Sequence, residues 1–178
     1  MKNIWAPWRI KYIKNTNKEK GCFLCNLLKK NIKFKTSYII WKGKYTTGVL
    51  NKFPYTNGHI IIAPNRHIDT LSRLKKEEKI EIMQAMVRYE TIIKKALNCQ
   101  GFNIGINIGK QAGAGVPGHI HIHIVPRWEG DTNFMSTLAS IRIIPQSLSS
   151  TWQAIRDAEK QLLKQSKVEN TNLLDYSG

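Results

Sequence analysis

Three of the five histidines in this 178-residue chain, His119, His121 and His123, recur at every second position. In an extended chain that spacing sets the imidazoles on one face, about 6.5–7 Å apart, and turns Ile120, Ile122 and Ile124 to the other. A helix, at about 100° per residue, would swing His121 away from its neighbours. The alternation, framed by Gly118 and Pro126, therefore predicts a half-buried strand ending at Pro126 with its histidines on an exposed face. Two chemistries suit such a row. Either the three imidazoles ligate one zinc ion as a hydrolytic centre, or the middle one is a nucleophile whose neighbours position and stabilise a phosphate. An incidental solvated cluster would not require isoleucine at every intervening position.

A second reactive pair lies far upstream. Cys22 and Cys25 are spaced C-x-x-C, while Cys99 stands alone. That usage suits a reducing compartment rather than a disulfide framework, and leaves the pair as metal ligands or a redox couple.

The elements that must carry these residues follow from periodicity. Cys22 to Leu28 reads as a short helix ending before Asn31, with its cysteines on a turn. Thr36–Trp41 and Tyr45–Leu50 read as a hairpin about Lys42-Gly43-Lys44, with Asn51 at its end. The turn Pro54-Tyr55-Thr56-Asn57-Gly58 leads into a third strand, His59–Pro64, with His67 just beyond. Residues 74–98 form an amphipathic helix and Phe102–Ile108 a fourth strand. A glycine-rich loop from Gly109 to Gly118 feeds the histidine strand and offers backbone N–H groups to an anion. A last helix is expected from about Gln146 to Lys164, before a polar tail over 166–178.

At this length the chain reads as one domain, residues 1–178, with an aromatic arm over 1–20 and a helical extension and tail over 136–178. The basic start, broken by Pro7, reads as neither signal peptide nor membrane span, so a cytoplasmic location is expected. A formal charge of +16 favours polyanionic partners, nucleotides or nucleic acids. A nucleic-acid-binding adaptor would use that charge but leave the spaced histidines without a task.

His119-Ile120-His121-Ile122-His123-Ile124-Val125 resembles the signature of the histidine-triad (HIT) family of nucleotide hydrolases and nucleotidyltransferases at all seven positions. The likeness runs from about Cys22 to Arg127. Trp5-Ala6-Pro7-Trp8-Arg9 and the stretch from Pro126 to Met135 are similar to the bacterial diadenosine tetraphosphate phosphorylase branch. Val116 departs from it, standing where many members carry a hydroxyl residue.

The resemblance implies an α+β, HIT-like fold, with a five-stranded antiparallel sheet and packed helices, commonly assembled as a homodimer. It implies cleavage of dinucleoside polyphosphates through a nucleotidyl-histidine intermediate, with phosphate or water as acceptor and no catalytic metal. His121 would be the nucleophile and His123 a stabilising donor. Asn51, Asn107, Gly113 and Gly115 would join His123 in binding the nucleotide, and His59 would orient the triad from behind. It also implies a structural zinc ion on Cys22, Cys25, His67 and His119.

Overall fold

A computed structural model describes residues 21–28, 33–131 and 144–174. The expected aromatic arm, the first part of the C-terminal extension (136–143) and the last four residues lie outside the described residues. The elements in chain order are α1 (Phe23–Leu27), α2 (Phe34–Ser37), β1 (Ile39–Lys42), β2 (Thr46–Leu50), β3 (Ile60–Pro64), α3 (Lys76–Leu97), β4 (Gly101–Ile106), β5 (Ile122–Arg127) and α4 (Leu148–Leu174). The five strands make one antiparallel sheet in the order β1-β2-β3-β5-β4. The expected α+β architecture is therefore present, and β5 lies inside the sheet rather than at an edge.

The two sheet faces do different work. Ile60, Ile62, Ile122 and Ile124 pack against Ile82, Tyr89 and Ile93 of α3 and Ile155 of α4, forming the main core. Each isoleucine taken out of water there stabilises the fold by about 1.5–3 kcal/mol. On the opposite face Val49, Ile61 and Ala63 pack under Leu24 of α1. That small cluster brings the Cys22–Cys25 segment onto the histidine side of the sheet.

Helix α3 is defined at both ends. Glu78 accepts the Lys75 backbone N–H at 2.8 Å, closing the first turn, and Asn98 adopts a left-handed conformation at the C-cap. Glu78 also receives a two-pronged contact from Arg66, both bonds at 2.7 Å. The Arg66 guanidinium holds that carboxyl below the usual carboxylate range, and the pair fixes the loop that carries His67. Helix α4 clamps the β1 edge, with Trp152 Nε1 donating to Ile39 O at 2.8 Å and Arg156 Nη1 to Ile40 O at 2.9 Å. No helix among the described residues is long and apolar enough to cross a membrane.

Three sequence expectations are corrected. Thr36 and Ser37 are helical rather than extended, because both hydroxyls bond back to Lys33 O, at 3.1 and 2.8 Å. The chain becomes a strand only after Tyr38, whose φ is 56°. Helix α4 continues ten residues past Lys164, to Leu174, since the stretch contains no glycine or proline to stop it.

The third correction concerns the histidines. The strand begins at Ile122, so His119 and His121 lie on its approach, and it runs through Pro126 to Arg127. Pairing with β3 stops at Ile62 opposite Ile122, because Pro64 has no N–H to extend the ladder and its carbonyl accepts from His119 Nε2 at 2.9 Å. Nor is the histidine face exposed: His119, His121 and His123 are 0%, 4% and 9% exposed.

Candidate functional site

The geometry of the histidine row fixes which ring nitrogen carries each proton. His121 Nδ1 lies 2.8 Å from the backbone carbonyl of His119, which can only accept, so Nδ1 is protonated and Nε2 keeps its lone pair. An imidazole held in that tautomer presents at Nε2 the lone pair that a nucleophilic nitrogen needs.

A second chain of bonds sets His123. The backbone N–H of Tyr55 donates to His59 Nδ1 at 3.1 Å, which leaves the ring proton of a neutral His59 on Nε2. That atom donates to His123 Nδ1 at 2.9 Å, which in turn puts the proton of His123 on Nε2. Among the described residues, His123 Nε2 is buried with no hydrogen-bond partner. A buried N–H without a partner is costly unless something outside the chain receives it. Asn51 supports the relay, since its Oδ1 accepts the Phe53 N–H at 2.9 Å and its Nδ2 approaches His59 Nδ1 at 3.3 Å. Tyr55 lies over both rings, 4.7 Å from His59 and 5.7 Å from His123.

Burial, assisted by the nearby His121, pushes His123 down to about 4, so at neutral pH it is an uncharged donor. The folded value lies below the ordinary 6.5, so protons bind more tightly to the unfolded chain. The stabilisation is complete above about pH 6.5 and drains away as pH falls towards 4, by about 3 kcal/mol over that window. Urea unfolding across this range should show that slope, reduced in His123→Asn; equal slopes would show that His123 is not the titrating group.

The third histidine faces elsewhere. His119 Nδ1 lies 3.3 Å from Cys22 Sγ and 3.5 Å from Cys25 Sγ, and Cys25 Sγ is 3.2 Å from His67 Nδ1. All four ligand atoms fall within 4.8 Å of one another. Around a tetrahedral zinc ion, sulfur and nitrogen ligands sit about 3.5 Å apart, so this donor set fits. The Pro64 carbonyl holds the His119 proton on Nε2 and leaves Nδ1 ready to ligate, and burial pushes that imidazole below the usual histidine range. Because His119 is turned to the cysteines and His121 Nδ1 to a carbonyl, the three triad histidines do not converge on a single metal.

In the loop before the triad, the Gly113 N–H is taken by Lys110 O at 3.0 Å, and Gly113 serves the turn through its φ of 84°. Asn107 and His123 line one cleft of about 1170 Å³, with Tyr55, Asn98, Arg127 and Trp128 among its other walls. Tyr55 and this cleft were not foreseen from the sequence. Pro54 to Gly58 carries a turn signal, and nothing in a single sequence places a turn's ring over a distant strand.

A family model described as the HIT domain matches residues 33–130. The AP-4-A phosphorylase of Mycobacterium tuberculosis is 30% identical over 157 residues, covering 85% of this chain and 80% of that protein. The asymmetrical bis(5'-nucleosyl)-tetraphosphatase of Schizosaccharomyces pombe is 30% identical over 95 residues, 53% of this chain and 52% of its own length. The crystal structure of a Zn-bound histidine triad family protein from Mycobacterium smegmatis matches with a TM-score of 0.66 and 28% identity, over 81% of this chain and 96% of that one.

Proposed function

Because the chain belongs to the HIT domain family, we propose that it cleaves dinucleoside polyphosphates such as diadenosine tetraphosphate by phosphorolysis, giving ADP and ATP. The observation that carries this reading is the pair of complementary imidazoles, a lone pair on His121 Nε2 beside a buried, unpartnered N–H on His123 Nε2. Phosphorolysis is supported by the likeness to the M. tuberculosis AP-4-A phosphorylase over most of both chains.

In the first step His121 Nε2 attacks the α-phosphorus. A P–N bond forms as the P–O bond to the departing nucleoside polyphosphate breaks, and the bonding electrons leave with that oxygen. A terminal phosphate, whose second pKa is near 6, is stable as an anion, so no proton must be delivered to it. The His119 carbonyl accepts from His121 Nδ1 and stabilises the positive charge that develops on the ring. His123 Nε2–H, joined by the N–H of Gly115, stabilises charge on the non-bridging oxygens. In the second step an oxygen of inorganic phosphate attacks the nucleotidyl-histidine, the P–N bond breaks, and the lone pair returns to Nε2.

Asn51 retains an amide hydrogen and an oxygen lone pair for the ribose while it holds His59. Asn107, which lines the same cleft as His123, would meet the phosphates there. Cys22, Cys25, His67 and His119 would hold a zinc ion whose four positions are all filled, so that it ties the N-terminal segment to the sheet. The reading includes a homodimer, for which β4, an edge strand among the described residues with Ile104 47% exposed, offers backbone groups along its outer side.

The test is to incubate the protein with diadenosine tetraphosphate, with and without inorganic phosphate, and to separate the products. ADP plus ATP, formed only with phosphate, is expected. AMP plus ATP, formed equally without phosphate, would make it a hydrolase, and no turnover of any dinucleoside polyphosphate would end the reading.

A further inference from the structure

Helix α4 begins at Leu148, beyond the family-matched span, yet its first turn is bonded to the turn that sets the His123 tautomer. Ser147 caps the helix, its Oγ accepting the Ser150 N–H at 3.1 Å, and this places Thr151, 1% exposed, against Asn57. Thr151 Oγ1 donates to Asn57 Oδ1 at 2.9 Å, in a buried contact, and is also 3.0 Å from Ser147 O of its own helix. Asn57 Nδ2 donates to Gln146 Oε1 at 2.8 Å, so both ends of that side chain are held by the start of α4.

The same turn is fixed on its other sides. Thr56 Oγ1 donates to Pro126 O of β5 at 2.8 Å, and the His59 N–H returns to Thr56 O at 3.3 Å. Gly58 has a φ of 75°, and a Cβ there would lie 2.2 Å from Leu97 Cδ1, so the backbone is confined sterically as well. What the turn presents is the Tyr55 N–H, the donor that leaves the His59 proton on Nε2 and therefore the His123 proton on Nε2. Shift that N–H by about an ångström and His59 Nδ1 loses the nearer of its two donors, keeping the longer contact from Asn51 Nδ2 at 3.3 Å. The preference for a proton on Nε2 of His59 then weakens, and that of His123 with it.

We propose that Thr151, acting through Asn57, is a positioning residue that holds the Tyr55 N–H on His59 and thereby keeps the His123 proton on Nε2, facing the substrate. Helix α4 is then part of the catalytic apparatus as well as a brace for β1. The catalytic consequence rests on the nucleotidyl-transfer reading; the tautomer control does not.

The experiment uses the full chain labelled with ¹⁵N-histidine. Multiple-bond proton–nitrogen spectra report which nitrogen of His123 is protonated, alongside steady-state kinetics with diadenosine tetraphosphate and phosphate. In the wild type Nε2 should be protonated. Thr151→Val should give a mixed tautomer and lower kcat by on the order of tenfold, a part of the roughly 10²–10⁴-fold that a positioned proton-bearing group contributes, with KM within about twofold. Thr151→Ser, which keeps the hydroxyl, should restore both readouts. Thr151→Ala removes the same hydroxyl without pressing a methyl on Asn57, and serves if the valine variant does not fold. Trp152→Phe, which loosens α4 by removing its bond to Ile39 O, should lower the melting temperature and move neither readout. A wild-type spectrum in both Thr151→Val and Thr151→Ala would overturn the proposal, as would Trp152→Phe reproducing their changes. A shifted spectrum in a protein that turns over no dinucleoside polyphosphate would uphold the positioning and remove only the activity.

Discussion

Replacing His121 with alanine is expected to lower turnover of diadenosine tetraphosphate by roughly 10⁴-fold or more, the scale on which enzymes lose activity with their nucleophile. The protein should still fold, though not untouched. His121 is buried, and its Nδ1–H occupies the His119 carbonyl, so the alanine variant leaves that acceptor unpaired at a cost of about 1–3 kcal/mol. His121→Asn separates the two effects, because its amide Nδ2 can occupy the place of Nδ1–H while offering nothing at the position of Nε2. It should regain most of the stability and bind substrate without cleaving it. Wild-type substrate in single turnover should leave an acid-labile nucleotide on the protein, and the asparagine variant none. An alanine variant that keeps even a hundredth of the wild-type rate would place the nucleophile elsewhere.

Stripping the Cys22-Cys25-His67-His119 cluster of metal is expected to lower the melting temperature by ten degrees or more, a small part of the roughly 10–16 kcal/mol with which structural zinc sites bind in folded peptides. Protein purified without chelator should carry about one zinc per chain. Cys22→Ser with Cys25→Ser should carry none and melt at the temperature of the stripped wild type. Activity should fall as well. The cluster holds the His119 ring, and the carbonyl of the same residue orients His121. Unchanged zinc content and melting temperature in the double variant would exclude this role.

What the sequence revealed, and what it concealed, divides along the range of the physical signal. The helix over Lys76–Leu97 and the meander from β1 to β3 follow from local periodicity and turn residues, and both are present. Alternation also sorted the isoleucines of the triad segment from its histidines, though it could not show that both faces of β5 are covered. On the histidine side His123 is covered by Tyr55 and His59, more than sixty residues upstream, while the Cys22–Cys25 segment reaches only His119. The strand limits failed for a similar reason: β5 starts late because the Pro64 carbonyl is occupied by a side chain rather than by the ladder. Proton placement was out of reach altogether, since it depends on which backbone group lies opposite each ring nitrogen. The roles of Tyr55, Asn57 and Thr151 share that origin. Each is an ordinary turn or helix residue until the packing of α4 brings its neighbours close.

The contacts that prepare the site join residues far apart along the chain. Cys22 and His119 are separated by 97 residues, Asn57 and Thr151 by 94, and His59 and His123 by 64. Contacts of that span form slowly, because a long stretch of chain must be closed before any interaction repays the lost entropy, whereas helices and hairpins need only their neighbours. The proton placement of the site is therefore set only once these long-range contacts have closed. A partly folded chain with α3 and the β1–β2 hairpin in place would still have His121 and His123 in unselected tautomers.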